Sequence, residues 1–231
     1  EFDYTGLPDA KKWSYEEGMI RNNELQYYTK ARPENARVEE GMLVIETRKD
    51  NYNGHPITSA SLITKGKGQW RYVRIEVRAK LPTGRGTWPA IWLLGAQLSE
   101  TVGWPECGEI DIMENVGFDP DVIHANIHTK AYNHAIGTNK GNRITVSAPY
   151  EEFHVYKLDW YYDHLDFYVD DIKYFTFQNE GKGNDVWPFD KPHYLILNTA
   201  FGGSWGGAQG VDVGILPQKF FIDYVRVYQN D

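Results

Sequence analysis

Hydrophobic and polar residues alternate with a period of two along most of this chain. Between Trp70 and Lys80, Val73, Ile75, Val77 and Ala79 are separated by Arg74, Glu76, Arg78 and Lys80. Such a run forms a strand with one apolar and one polar face. Short runs of the same kind recur at 43–48, 59–64, 88–94, 108–115, 122–128, 153–161, 164–170, 172–178, 193–201 and 219–228. Turn signals separate them: Asn53-Gly54, Pro82-Thr83-Gly84, Gly181-Lys182-Gly183 and Gly202-Gly203. Asp170-Asp171, set between two alternating runs, predicts a tight hairpin. No helical period lasts beyond a turn or two, and no repeat, low-complexity tract or linker interrupts the pattern. The prediction is one all-β domain over residues 1–231, a two-sheet antiparallel jelly-roll β-sandwich. The irregular first ~40 residues are expected to pack on the sandwich and line a cleft.

Composition narrows the partners. The net charge is −8 and the pI about 5.4, which excludes a nucleic-acid ligand and disfavours polyanions. A neutral polymer or small molecule fits better. Cys107 is the single cysteine, so no intrachain disulfide forms. No run of 18 apolar residues exists, so no membrane-spanning helix is expected. The chain opens Glu-Phe-Asp-Tyr without a signal peptide, which reads as an excised catalytic domain or a processed mature form. The expected setting is secreted or cell-surface, as a monomer. The 8 Trp are more than core packing needs, because a buried indole N–H requires a partner. Several are expected to line a groove, where flat sugar faces stack on electron-rich rings.

The stretch that carries chemistry is Gly108-Glu109-Ile110-Asp111-Ile112-Met113-Glu114-Asn115. In a regular strand Glu109 and Asp111 face one side and Glu114 the other. Glu114 would then share a face with Ile110 and Ile112, leaving an unpaired charge in the sandwich core at a cost of several kcal/mol. A β-bulge near Ile112–Met113 returns Glu114 to the face of the other two acids. The two Glu Cα atoms then lie roughly 13 Å apart. Inward-leaning side chains can close that gap to the about 5–5.5 Å used by retaining glycosidases. Asp111, shorter and between them, is suited to modulate the charge of a neighbour. This reasoning does not decide which Glu is the nucleophile.

Glu109-Ile110-Asp111-Ile112-Met113-Glu114 resembles the bulged catalytic signature of glycoside hydrolase family 16, laminarinase type. Further segments resemble it in order along essentially the whole chain: Asn22 to Thr29, Arg74 to Pro82, Gly86 to Leu94, His124 to His128, Gly202 to Gly207 and Phe221 to Tyr228. No catalytic position departs from the pattern, and the start at Glu1 suggests that one short leading strand is missing. The resemblance implies a groove on the concave face and hydrolysis of β-glucan with retained configuration. It makes Glu109 the nucleophile, Asp111 its assisting acid and Glu114 the acid/base. It implies a stacking role for Trp104 beside the cleavage point, a place for His128 near the acid/base, and one for Asn22 on the donor side of the groove. It also implies a structural calcium held by Glu1, Gly41 and Asp223, and no cofactor for catalysis.

Other residues keep two readings. Trp205, flanked by four glycines, is expected to present its ring outward from a flexible loop. Trp88 and Trp92 share parity, facing either groove or core. Arg74 and Arg78 either pair with Glu76 in solvent or border the groove and bind sugar hydroxyls. His124, Asn126 and His128 share one face, but strand spacing holds the histidines too far apart for zinc. The leading function is endo-hydrolysis of β-1,3-glucan or mixed β-1,3-1,4-glucan. Its rivals are a non-catalytic sugar-binding jelly roll, a hydrolase of agar- or carrageenan-type galactan, and transfer to a sugar acceptor in place of water.

Overall fold

The computed structural model describes residues 1–99 and 101–229. It is a sandwich of two sheets. The seven-stranded sheet runs, in spatial order, β1 (Ser14–Glu16), β6 (Ser61–Ile63), β15 (His193–Phe201), β8 (Thr87–Gly95), β9 (Glu109–Glu114), β10 (Val122–His128) and β11 (Lys140–Thr145). The nine-stranded sheet runs β14 (Ile172–Gln178), β13 (His164–Val169), β12 (His154–Trp160), β7 (Val73–Lys80), β16 (Gln218–Gln229), β4 (Met42–Tyr52), β5 (His55–Ser59) and β2 (Tyr27–Tyr28). Its ninth strand, β3 (Ala36–Glu39), pairs with β4. Every strand pair is antiparallel except the two-residue contact of β2 with β5.

The alternation places the core. Val73, Ile75, Val77 and Ala79 turn inward from β7 and meet Ile91 and Leu93, Ile110 and Ile112, and Ile123 and Ile127 from the other sheet. Each fully buried aliphatic side chain here contributes about 1.5–3 kcal/mol. The predicted hairpin forms at Asp170, whose φ of 54° is a conformation that Asp tolerates in tight turns. Strand β11 was not legible in its sequence. Lys-Gly-Asn-Arg-Ile-Thr is almost wholly exposed on a sheet edge, and a strand with no buried face needs no apolar alternation.

Arg74 and Arg78 do not border a groove. They project from the outer face of the nine-stranded sheet, because the inner face of β7 is the core. Arg74 grips Asp159 on the neighbouring strand through Nε at 2.6 Å and Nη2 at 2.9 Å. Arg78 reaches Asp223 at 2.6 Å. The first alternative, a solvated and ion-paired face, holds, with aspartates rather than Glu76 as partners.

Candidate active site

The bulge falls where burial cost requires it. On β8, Trp92 lies opposite Asp111 and Ile91 opposite Met113, so Ile112 is the extra residue. On β10, Asn126 lies opposite Asp111 and His124 opposite Glu114. Ile112 and Met113 both enter the core, each fully buried. Glu114 thereby rejoins Glu109 and Asp111 on the outer face of the seven-stranded sheet.

That face is the floor of a groove of about 900 Å³. Alternate residues of four strands line it: Trp88, Ala90, Trp92 and Leu94 from β8, the three acids from β9, His124, Asn126 and His128 from β10, and Tyr194, Asn198 and Ala200 from β15. The N-terminal region supplies one wall through Glu16, Arg21, Asn22 and Glu24, as expected of an irregular segment beside a cleft.

Each acid has its own partners. Trp104 Nε1 donates to Glu109 at 3.0 Å. Trp88 Nε1 donates to one oxygen of Glu114 at 3.0 Å, and Asn126 Nδ2 to the other at 3.3 Å. His128 Nε2 stands 3.6 Å from Glu109 and 3.4 Å from Asp111, and His128 lies opposite Glu109 on the neighbouring strand. Asp111 Oδ2 is buried without a hydrogen-bond partner.

Burial sets the protonation pattern. It raises Glu109 to about 8, with the negative Asp111 adding to the shift and His128 opposing it. It lifts Asp111 well above the usual carboxylate range, helped by the charge of Glu114. Glu114 is also raised by burial, against the pull of His128 and its hydrogen bonds from Trp88 and Asn126. Three acids so close cannot all ionise near neutrality. A proton on Asp111 removes the charge that, after burial, most opposes ionisation of Glu109. The three acids therefore share protons near neutrality, and the site holds ionised and protonated carboxyls side by side. Among the described residues, Glu109, Asp111 and His128 also form a set whose ligand atoms lie within 4.8 Å. A cation there would cover Glu109.

The tryptophans divide as follows. Trp104 is exposed and packs with tilted rings at 4.9 Å against His134, a residue not singled out from the sequence. Trp205 packs edge-on against Trp88 at 5.5 Å and against His124 at 4.9 Å. Its glycine-flanked loop is held by close packing rather than freed by flexibility. A Cβ on Gly206 would lie 2.6 Å from the Gly202 carbonyl oxygen and 2.9 Å from Trp88 Cβ. Trp88 and Trp92 both point to the groove side, Trp92 beneath the Arg21 guanidinium at 4.8 Å. Asn22 lines the wall, with left-handed backbone at φ 55°. The calcium candidates lie elsewhere: Glu1 accepts from Arg226, and Asp223 from Arg78. Arg21, Glu24, Tyr194 and Asn198 were not singled out from sequence, because nothing local marks residues that meet only through the fold.

Breaking a glycosidic bond takes one ionised and one protonated carboxyl within reach of the same linkage, and this face can supply both. The protein is of the glycoside hydrolase class. More narrowly, it belongs to the glycosyl hydrolases family 16, whose family model matches residues 23–226. The beta-glucanase of Rhodothermus marinus is 52% identical over 237 residues, covering 99% of this chain and 83% of that protein. The solved laminarinase from Rhodothermus marinus superposes with a TM-score of 0.96 at 52% identity, over 99% of this chain and 94% of that one. A solved non-specific endo-β-1,3(4)-glucanase of the same family, SCLam, gives 0.94 at 52% identity, over 100% of this chain and 89% of that one.

Proposed function

We propose that this enzyme cuts internal linkages of β-1,3-glucan and mixed β-1,3-1,4-glucan by double displacement. The observation that carries the reading is the bulge, which brings Glu114 back beside Glu109 over a groove wide enough for a polymer. Glu109 attacks the anomeric carbon while Glu114 protonates the departing glycosidic oxygen. Glu114 then takes a proton from water, which attacks the glycosyl–Glu109 ester from the same face as the departed sugar, so configuration is retained. Asp111, kept protonated, limits the negative charge beside Glu109. Trp104 donates to Glu109 and offers its face to the sugar at the cleavage point, and Trp88 with Trp205 forms a stacking surface on the Glu114 side.

A non-catalytic sugar-binding role has no use for three buried, mutually repelling acids. Galactan is disfavoured where it is sulfated, because the acidic groove repels it. The resemblance of the full chain to glucanases, the R. marinus enzyme and SCLam among them, supports endo-action on β-glucan. A polymer substrate implies work outside the cell, and the groove is complete within one copy, which supports a monomer.

Incubation with laminarin, mixed-linkage glucan, agarose and carrageenan tests the reading. The first two are expected to yield oligosaccharides whose new reducing ends appear first as the β-anomer by NMR. Hydrolysis of neither glucan, or first appearance of the α-anomer, sinks the proposal.

No cofactor enters this chemistry. A structural calcium at Glu1, Gly41 and Asp223 would use backbone carbonyls and the Asp223 oxygen left free by Arg78, and hard oxygen donors suit that ion. Added calcium is then expected to raise the unfolding temperature and chelation to lower it, with turnover at low temperature unchanged. An unfolding temperature indifferent to both removes the site.

A further inference from the structure

We propose that Glu24 is a positioning residue: its carboxylate sets the orientation of the Asn22 amide and the Trp92 indole, and so the fit of sugar along the Arg21–Asn22 wall. The inference rests on the glucanase reading above. Glu24 is 4% exposed, and both of its oxygens are engaged. Asn22 Nδ2 donates to Oε1 at 3.2 Å. Gln26 Nε2 donates to Oε2 at 2.7 Å, and the Tyr28 hydroxyl to the same atom at 3.2 Å. The Tyr28 hydroxyl in turn accepts from Asn198 Nδ2 at 2.9 Å. Asn198 Oδ1 accepts from Trp92 Nε1 at 2.8 Å.

Every donor in this chain points toward Glu24, which makes the carboxylate its terminal acceptor. The direction cannot reverse. Gln26 Oε1 is held by the Phe201 backbone N–H at 2.7 Å, so its amide must offer N–H to Glu24. A carboxylate accepts only, and three donors converge on it. With one N–H committed to Glu24, Asn22 is left with Oδ1, an acceptor for a sugar hydroxyl, and its second N–H. Its backbone carbonyl is fixed as well, accepting from Ser204 N at 2.9 Å. At the far end of the chain, Trp92 lies under Arg21, whose guanidinium pairs with Glu16. One buried carboxylate thus fixes both an acceptor on the groove wall and a ring in its floor.

Glutamine at this position matches the shape but puts an NH₂ among three donors. At least one donor loses its acceptor, and the Asn22 amide is freed to turn.

The test is a binding cycle in the Glu109→Gln background, where laminari-oligosaccharides stay intact, read by calorimetry. Glu24→Gln is expected to weaken binding about tenfold, and Asn22→Ala by a similar factor. The double variant should be no worse than Glu24→Gln alone, because that change already frees the Asn22 amide. Losses that multiply, or a Glu24→Gln variant that binds like its background, overturn the proposal. A purely structural role would lower the unfolding temperature and leave the losses multiplicative. If Glu24→Gln does not fold, Tyr28→Phe cuts the same chain at the hydroxyl and is expected to weaken binding about threefold. Unchanged affinity there overturns the proposal too. A Glu109→Gln background that binds no laminari-oligosaccharide sinks the glucanase reading, and this inference with it.

Discussion

Glu109→Gln is expected to lose at least about 10⁴-fold in turnover on laminarin, yet to unfold at a higher temperature than the wild type at pH 8. The first effect follows from the role: an amide cannot form the glycosyl ester through which a retaining enzyme works. The second follows from burial. In the folded protein Glu109 is raised from its ordinary value to about 8, because burial and the charge of Asp111 both oppose ionisation. A carboxyl raised on folding favours the folded state while protonated. That contribution is complete at pH 4 and is lost as pH climbs from the ordinary carboxylate range toward 8. Glutamine cannot titrate and escapes the loss. The stability gained at pH 8 should be about 1–3 kcal/mol, below the full shift because protons are shared with Asp111 and Glu114. For a chain of this size that is a few degrees or more in Tm, shrinking toward zero at pH 4. Thermal melts at the two pH values check it. Equal melts at pH 8 would mean that Glu109 is not held against its charge, and more than a few per cent residual turnover would remove it as nucleophile.

Inserting one alanine between Ile112 and Met113 is expected to abolish glucanase activity, whereas deleting Met113 should leave a folded protein with measurable activity. The register explains the asymmetry. Asp111 already lies opposite Trp92, and Glu114 opposite Ala90. Between these two pairs β8 has one residue, Ile91, while β9 has two. Deletion makes the count one against one, so the second Glu keeps Ala90 and His124 as neighbours in a regular ladder. Its cost is the buried Met113 side chain, about 2–5 kcal/mol for a large core residue lost. Insertion sets three residues against one. Either the bulge dissolves and Glu114 faces the groove opposite Trp88, about 7 Å farther along the strand and out of reach of the bond Glu109 attacks, or the bulge persists and Glu114 turns into the core, where a charge is not tolerated. Activity assays alongside circular dichroism decide. Equal tolerance of the two changes, or survival of the insertion alone, would show that the bulge does not position Glu114.

The bulge itself was legible in the sequence, since Glu114 among Ile110, Ile112 and Met113 has only one affordable direction. The sandwich was legible for a related reason: runs such as Val73 to Lys80 bury one face and expose the other. What escaped was whatever the chain settles at long range. Strand β11 carries no apolar face to announce it. Arg74 and Arg78 alternate as a groove wall would, and only the pairing of β7 with β12 and β16 shows that Asp159 and Asp223 hold them. The glycines around Trp205 suggested mobility when read locally, but the neighbouring Trp88 leaves no room for a side chain at Gly206. Nothing local marks Glu24, which gains its role only when Tyr28, Asn198 and Trp92 are linked to it from three strands.

The outer face of the nine-stranded sheet has a practical consequence. Lys80 and Lys219 lie over Phe221 there, Lys157 over Tyr168, and Lys173 beside Asp166, while none of the residues lining the groove is a lysine. Coupling to a solid support through these lysines would therefore anchor the molecule by its back. The acids and indoles would be left facing the liquid, where a dissolved polysaccharide can reach them.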